Sequence, residues 1–205
     1  YIASEAFRYA VTGDSAAKKF ARESLNALIR LEEVTAVPGF PARAIRGEGD
    51  PGFGNGHPEW HRTSDGKWEW KGETSSDEID GHYFGLSIYL DLIGGMKDRE
   101  RIVGYTRRLT DHIIDNDYHL IDKDGKPTTW GVWSPKKLNQ DDRWRMQRGL
   151  NSLEILSYLR TAHHITGEER YLTEYHKIVS KHHYALNTVK QRQTVLDQQI
   201  WHDDR

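Results

Sequence analysis

Three stretches of the chain share one arrangement of apolar and polar positions. Each starts with a helix that is apolar round most of its circumference, turns at a glycine, and continues as a helix with one apolar stripe. The first runs from Tyr1 to Val11, turns at Thr12-Gly13-Asp14, and continues from Ser15 to about Thr35. The second runs from about Asp77 to Ile93, turns at Gly94-Gly95, and continues from about Asp98 to Asn116. The third runs from about Gly149 to Ile165, turns at Thr166-Gly167-Glu168, and continues to about Leu186. Glycine suits the left-handed residue that follows a helix, and an acid in the next first turn suits the helix dipole. In the third pair Leu150, Leu153, Ile155, Leu156, Tyr158 and Leu159 cover more than one face, the mark of a helix buried on several sides. In the first pair Phe20, Ala21, Leu25, Leu28 and Ile29 make a single stripe, with Lys18, Lys19, Arg22, Arg30 and Glu33 mostly off it. Buried helices wrapped by amphipathic ones, in units spaced at roughly 70 to 80 residues, are expected to form an all-α repeat fold. The architecture this predicts is an α/α toroid, of which three hairpins supply about half. A plain α-solenoid competes, but its short connections do not match.

Two connections are long, residues 38–76 and 118–148. Loops of this length without helices are functional or disordered as a rule, and their tryptophans argue for order. Trp60 to Trp70 reads as a β-hairpin around Asp65-Gly66, and Tyr118 to Trp133 as a second around Asp124-Gly125. All seven Trp fall outside the helical hairpins: Trp60, Trp68 and Trp70, then Trp130, Trp133 and Trp144, then Trp201. Each long loop joins an outer helix to the next inner one, so the toroid would gather them at one end. Aromatic faces on loops at a barrel mouth suit sugar rings, which makes Trp68, Trp70, Trp130 and Trp133 candidate stacking residues. Packing of the loops onto the barrel end is the competing explanation for any one of them.

Carboxylates collect where the second inner helix begins. In Thr74-Ser75-Ser76-Asp77-Glu78-Ile79-Asp80-Gly81-His82, Ser75 and Glu78 form a capping box. That leaves Asp77, Asp80 and His82 unexplained, and Asp77, Asp80 and Gly81 share a face. Acids packed at a cavity can do acid–base work because burial and proximity separate their pKa values. His202-Asp203-Asp204 follows the third outer helix, so Asp203 and Asp204 are candidates for a second carboxylate. Arg148, Asn151 and Glu154 stand near the start of the third inner helix as a basic and amide contribution.

Composition narrows the partners. The chain has 205 residues, with 29 Lys and Arg against 31 Asp and Glu, a net charge of −2. No single-sign run marks a nucleic-acid partner, and no apolar run reaches bilayer length, so membrane insertion is not expected. The absence of Cys excludes disulfides and thiolate chemistry and leaves the compartment open. No phosphate-cradling glycine loop or serine nucleophile elbow occurs, and no cofactor is expected. His57, Glu59 and His61 alternate but supply too few ligands for a closed metal site, and Asp122-Lys123-Asp124-Gly125 lacks the later Glu of a calcium loop.

The segments Phe7 to Asp14, Val37 to Arg43, Thr74 to Tyr83 and Trp130-Gly131-Val132-Trp133 resemble a group of bacterial proteins of the six-hairpin glycosidase type. The resemblance spans nearly the whole chain. It implies one partial toroid domain over residues 1–205, completed by further chain or by a neighbouring subunit. Tyr1 opening inside a helical pattern and the stop after Ile200-Trp201-His202-Asp203-Asp204-Arg205 also suggest a piece of a longer protein. The resemblance further implies a periplasmic or extracellular location and a carbohydrate substrate. A glycoside hydrolase would pair Asp77 or Asp80 with Asp203 or Asp204, whose separation would set inversion or retention. A polysaccharide lyase would use Tyr83 or His82 as base, with Arg148 or Asn151 against a uronate. A binding or assembly module without chemistry is the third expectation.

Overall fold

The computed structural model describes residues 1–190. The three helical hairpins are present: α1 (Ile2–Thr12) with α2 (Ser15–Glu33), α3 (Ser76–Leu92) with α4 (Met96–Asp115), and α6 (Arg148–Thr166) with α7 (Glu169–His182). Local chemistry sets their ends. Gly13 closes α1 in the left-handed conformation with its N–H on the Tyr9 carbonyl, and Asp14 caps α2 by accepting from the Ala16 N–H. Gly167 closes α6 in the same way.

The helices form two layers. Ser76 Oγ reaches Glu154 and Asp91 reaches His164, so α3 and α6 lie side by side and parallel. Arg22 pairs with Asp98 and Arg108 with Glu32, which sets α2 parallel to α4. Arg107–Glu168 and Arg170–Asp111 do the same for α4 and α7. Between the layers lies a core rich in tyrosine. Tyr83, Tyr89, Tyr105, Tyr158, Tyr171 and Tyr184 are all buried, and each hydroxyl has a partner, among them Thr110, Asp98, His82 and Asp80. Burying a tyrosine is favourable only when its O–H is satisfied, so these bonds also fix helix register.

The expected all-α toroid is not the observed architecture. Among the described residues 59% are helical and 11% lie in strands, in two small antiparallel sheets, so the fold is mixed. β1 (Ala44–Gly47), β2 (Trp60–Arg62) and β3 (Trp68–Lys71) form a sheet in the order β1-β3-β2, with Ile45 and His61 both opposite Trp70. β4 (His119–Ile121) pairs with β5 (Pro127–Val132). The hydrophobic periodicity treats these loops as ornaments on a helical body. In the molecule they are part of the core: Trp70 is buried against Phe40, their ring centroids 6.3 Å apart, and Trp133 is buried against Tyr158 at 5.4 Å. Three further short elements lie among the described residues, α5 (Pro135–Gln140), a 3-10 turn at Asp142–Trp144, and α8 (Tyr184–Asn187). The Glu73 N–H donates to Asp122 and the Thr129 N–H to Glu73, so the two long loops meet each other beside the start of α3. Among the described residues no helix is long and apolar enough to cross a membrane.

Candidate active site

The parallel packing of α3 and α6 brings the acidic start of α3 beside Glu154 in the second turn of α6. A cavity of about 360 Å³ opens there, lined by Asp77 and Asp80 from α3, Asn151 and Glu154 from α6, Trp130 from β5, and Arg43. Ser75 and Ser76 also line it. Asp77 and Asp80 are open to solvent, whereas Glu154 is buried, only 4% exposed.

Each carboxylate is held from a different side. The Trp133 indole N–H donates to Glu154 Oε2 at 2.9 Å, and Ser76 Oγ donates to Glu154 Oε1 at 3.2 Å. Tyr158 donates to Asp80 Oδ1 at 2.7 Å, and its oxygen also lies 3.0 Å from the Ser76 carbonyl. Ser75 Oγ stands within reach of both Asp77 and Glu78, while the Ser75 N–H donates to Glu78 at 2.7 Å. Arg43 neutralises Glu78 at 2.7 Å. The capping box therefore consumes Ser75 and Glu78 and leaves Asp77 and Asp80 facing the cavity.

Burial pushes the Glu154 carboxyl up to about 7, and the nearby charges of Asp80 and Asp77 act in the same direction. The Trp133 and Ser76 hydrogen bonds oppose the rise without cancelling it. Asp80 is also raised, first by the packing around its carboxyl and then by Asp77, against the Tyr158 bond. A carboxyl poised near neutrality can hold a proton and release it at ordinary pH, which is what general acid–base chemistry requires.

The sequence expectations divide on this geometry. Asp77, Asp80, Trp130 and Asn151 meet at one cavity, although the Asn151 amide is already committed to the Val132 carbonyl at 2.9 Å. Trp133 does not form a wall. It turns inward past Gly131, where any side chain would strike Leu120 and Thr128, and serves as the buried donor to Glu154. Trp70 is likewise buried, since its strand packs that face onto the body. Trp68, two residues earlier, is 39% exposed but lies beside Arg30, outside this cavity. His82 is buried, stacked on Tyr105 and hydrogen-bonded to its hydroxyl at 2.7 Å. Burial lowers its pKa to about 4, and it presents nothing to a ligand. Tyr83 is buried on Thr110, so neither residue offered as a lyase base reaches the cavity. Arg148 donates to the Leu138 carbonyl, which fixes it as a tie between α6 and α5. Asp203 and Asp204 lie outside the described residues.

Sequence reasoning named Glu154 beside Arg148 and Asn151 without giving it a carboxylate's role, and it selected neither Ser76 nor Tyr158 for the site. Glu154 sits four positions before Tyr158, so both fall on one face of α6, and that spacing was the available signal. Among the described residues no group of three or more His, Asp or Glu side chains gathers to hold a metal ion. Glu59 pairs with Lys71, and His61 lies against Trp70. No family model, no curated protein and no solved structure matches this chain.

Proposed function

We propose that the cavity binds a carbohydrate and hydrolyses a glycosidic bond, acting on fragments of an extracellular polysaccharide. The observation that carries this reading is the convergence of Glu154, Asp77 and Asp80 from two helices on one cavity bordered by the half-exposed indole of Trp130. Trp130 stacks on a sugar ring. Glu154, protonated up to about pH 7, gives its proton to the leaving oxygen. Asp77 or Asp80 supplies the second carboxylate, either to activate water or to attack the sugar.

The test is incubation of the full chain with neutral and uronate-containing oligosaccharides, reading new reducing ends and ultraviolet absorbance. Release of reducing ends that disappears in Glu154→Gln and Asp80→Asn is the expected result. An unsaturated product would overturn hydrolysis in favour of elimination. Binding without turnover would leave a carbohydrate-binding module, and neither binding nor turnover would end the carbohydrate reading.

A further inference from the structure

A second cavity, about 490 Å³, opens where three separate segments meet. They are the last turn of α2 with residues 34–37, the tip of the β2–β3 hairpin, and Lys123 in the β4–β5 turn. Its charged lining is Arg30, Arg62 and Lys123 against Glu33 and Asp65. The Asp65 carboxylate is used by the turn itself, accepting from the Thr63 hydroxyl at 2.6 Å and the Lys67 N–H at 3.1 Å.

The cations here differ from their neighbours. Arg43, Arg46 and Lys71 in the same region are each neutralised by a glutamate. Among the described residues Arg30, Arg62 and Lys123 have no acidic partner within ion-pair distance, and each lies over an aromatic face instead. Arg30 is 5.8 Å from the Trp68 ring centroid, Arg62 is 4.8 Å from Phe53, and Lys123 is 5.7 Å from Trp70. An aromatic face holds a cation in place without cancelling its charge, so apart from Arg62 Nε, which donates to the Gly66 carbonyl at 3.2 Å, the donors remain available to an anion. The wall between them is fixed. Thr35 Oγ1 accepts from the Val37 N–H and lies 2.8–2.9 Å from the Glu32 and Phe40 carbonyls, and Ala36 is held at φ +55°. Left-handed backbone at a non-glycine residue persists only where its surroundings enforce it, and such positions cluster at ligand sites.

We propose that this cavity binds a sugar carrying an oxyanion group. The carboxylate, sulfate or phosphate sits among Arg30, Arg62 and Lys123, and the exposed indole of Trp68, outside the cavity lining but beside Arg30, takes the ring. The proposal does not depend on hydrolysis at the acidic cavity.

Calorimetric titration of the full chain with glucuronate, glucose 6-sulfate, glucose 6-phosphate, inorganic sulfate and glucose tests it. At least one anionic sugar should bind about tenfold or more tighter than glucose, and the one that does identifies the oxyanion. Affinity should fall as salt is raised from about 0.05 M to about 0.5 M. Arg30→Gln and Lys123→Gln, both near the surface and checked for helicity, should each weaken binding about threefold to tenfold, as expected for a charge-assisted hydrogen bond. Equal binding of glucose, or no binding by any anionic sugar, would overturn the proposal. Inorganic sulfate binding as tightly as the sugars would remove the ring from it, and insensitivity to both substitutions would place the anion elsewhere.

Discussion

The Trp133 indole N–H and the Glu154 carboxylate meet at 2.9 Å, both buried, with the residue that follows β5 delivering one and α6 the other. A single hydrogen bond thus joins the second long loop to the second turn of α6. It also stabilises the ionised form of a group that burial drives towards neutrality.

Stability should record that contest. Below pH 4.5 Glu154 is protonated whether the chain is folded or unfolded. Between 4.5 and about 7 the unfolded chain gives up this proton while the folded chain keeps it, so stability falls as pH rises. The loss is on the order of 3 kcal/mol once pH has passed the upper value. The charges around the group are Asp77 and Asp80 on α3, with Arg43 held by Glu78 at the cavity edge. Glu154→Gln keeps an acceptor for Trp133 but cannot ionise. Urea unfolding at pH 5 and pH 8 should show the variant gaining on the parent at the higher pH. A difference that does not change with pH would mean the carboxylate is solvated.

His82 has the opposite sign. Its folded pKa is lowered by burial to about 4 from 6.5, so the unfolded chain takes up a proton first as pH falls. Stability is retained above 6.5 and lost between 6.5 and about 4, again on the order of 3 kcal/mol. His82→Gln should flatten this acid limb while lowering stability at pH 7 through the weakened bond to Tyr105. An acid limb that keeps its slope in the variant would move the effect to other groups.

The helical hairpins were legible in the sequence because their signals are local. The turns at Gly13 and Gly167 and the stripe of α2 each fall where the structure has them. The two β-hairpins were legible for the same reason. What one-dimensional reading missed was the third partner. Ala44–Gly47 is too short to show a period, and it becomes a strand only because β3 offers it an edge. Trp70 and Trp133 illustrate the same gap. A tryptophan on a loop looks available for stacking until the packing of that loop is known, and here both loops fold down onto the core. The i, i+4 spacing of Glu154 and Tyr158 marks a shared face of α6, but the place of Glu154 at the cavity depends on α3 lying parallel to α6, which that spacing does not encode.

Gly39 should be among the least replaceable positions. It sits at φ +76°, and a Cβ there would lie 2.2 Å from the Arg108 carbonyl oxygen and 2.6 Å from the His112 Cβ. The Gly39 N–H also donates to Glu32 at 2.8 Å, the same carboxylate that Arg108 grips with two nitrogens. An alanine must therefore push apart α2 and α4 where a buried glutamate bridges them. Gly39→Ala should cost about 2–4 kcal/mol, combining overpacking with left-handed strain. Thermal unfolding should register this as a fall of about 5–15 °C for a chain of this size. A change within error would show that the 37–40 turn relaxes independently of the helices.

The two tryptophans of β5 and its exit should separate binding from folding. Trp130 is 51% exposed and touches Trp144 edge to face, with centroids 6.2 Å apart. Its loss should lower stability by about 1 kcal/mol or less, the scale of one exposed aromatic pair. Trp133 has no exposed surface, packs on Tyr158 and donates to Glu154, and its carbonyl accepts from Tyr184 at 2.5 Å. Trp133→Ala opens a cavity and removes the donor from a buried carboxylate, so it should cost about 3–5 kcal/mol. It should also raise the Glu154 pKa further, because the hydrogen bond it removes was lowering it. Trp130→Ala, in contrast, should weaken oligosaccharide binding about tenfold while leaving the circular dichroism spectrum intact. Parallel titration and urea unfolding of the two variants distinguish these effects. Sugar affinity unchanged in Trp130→Ala would remove the stacking role. A large stability loss in that variant would make the exposed ring a structural strut between β5 and the Asp142–Trp144 turn.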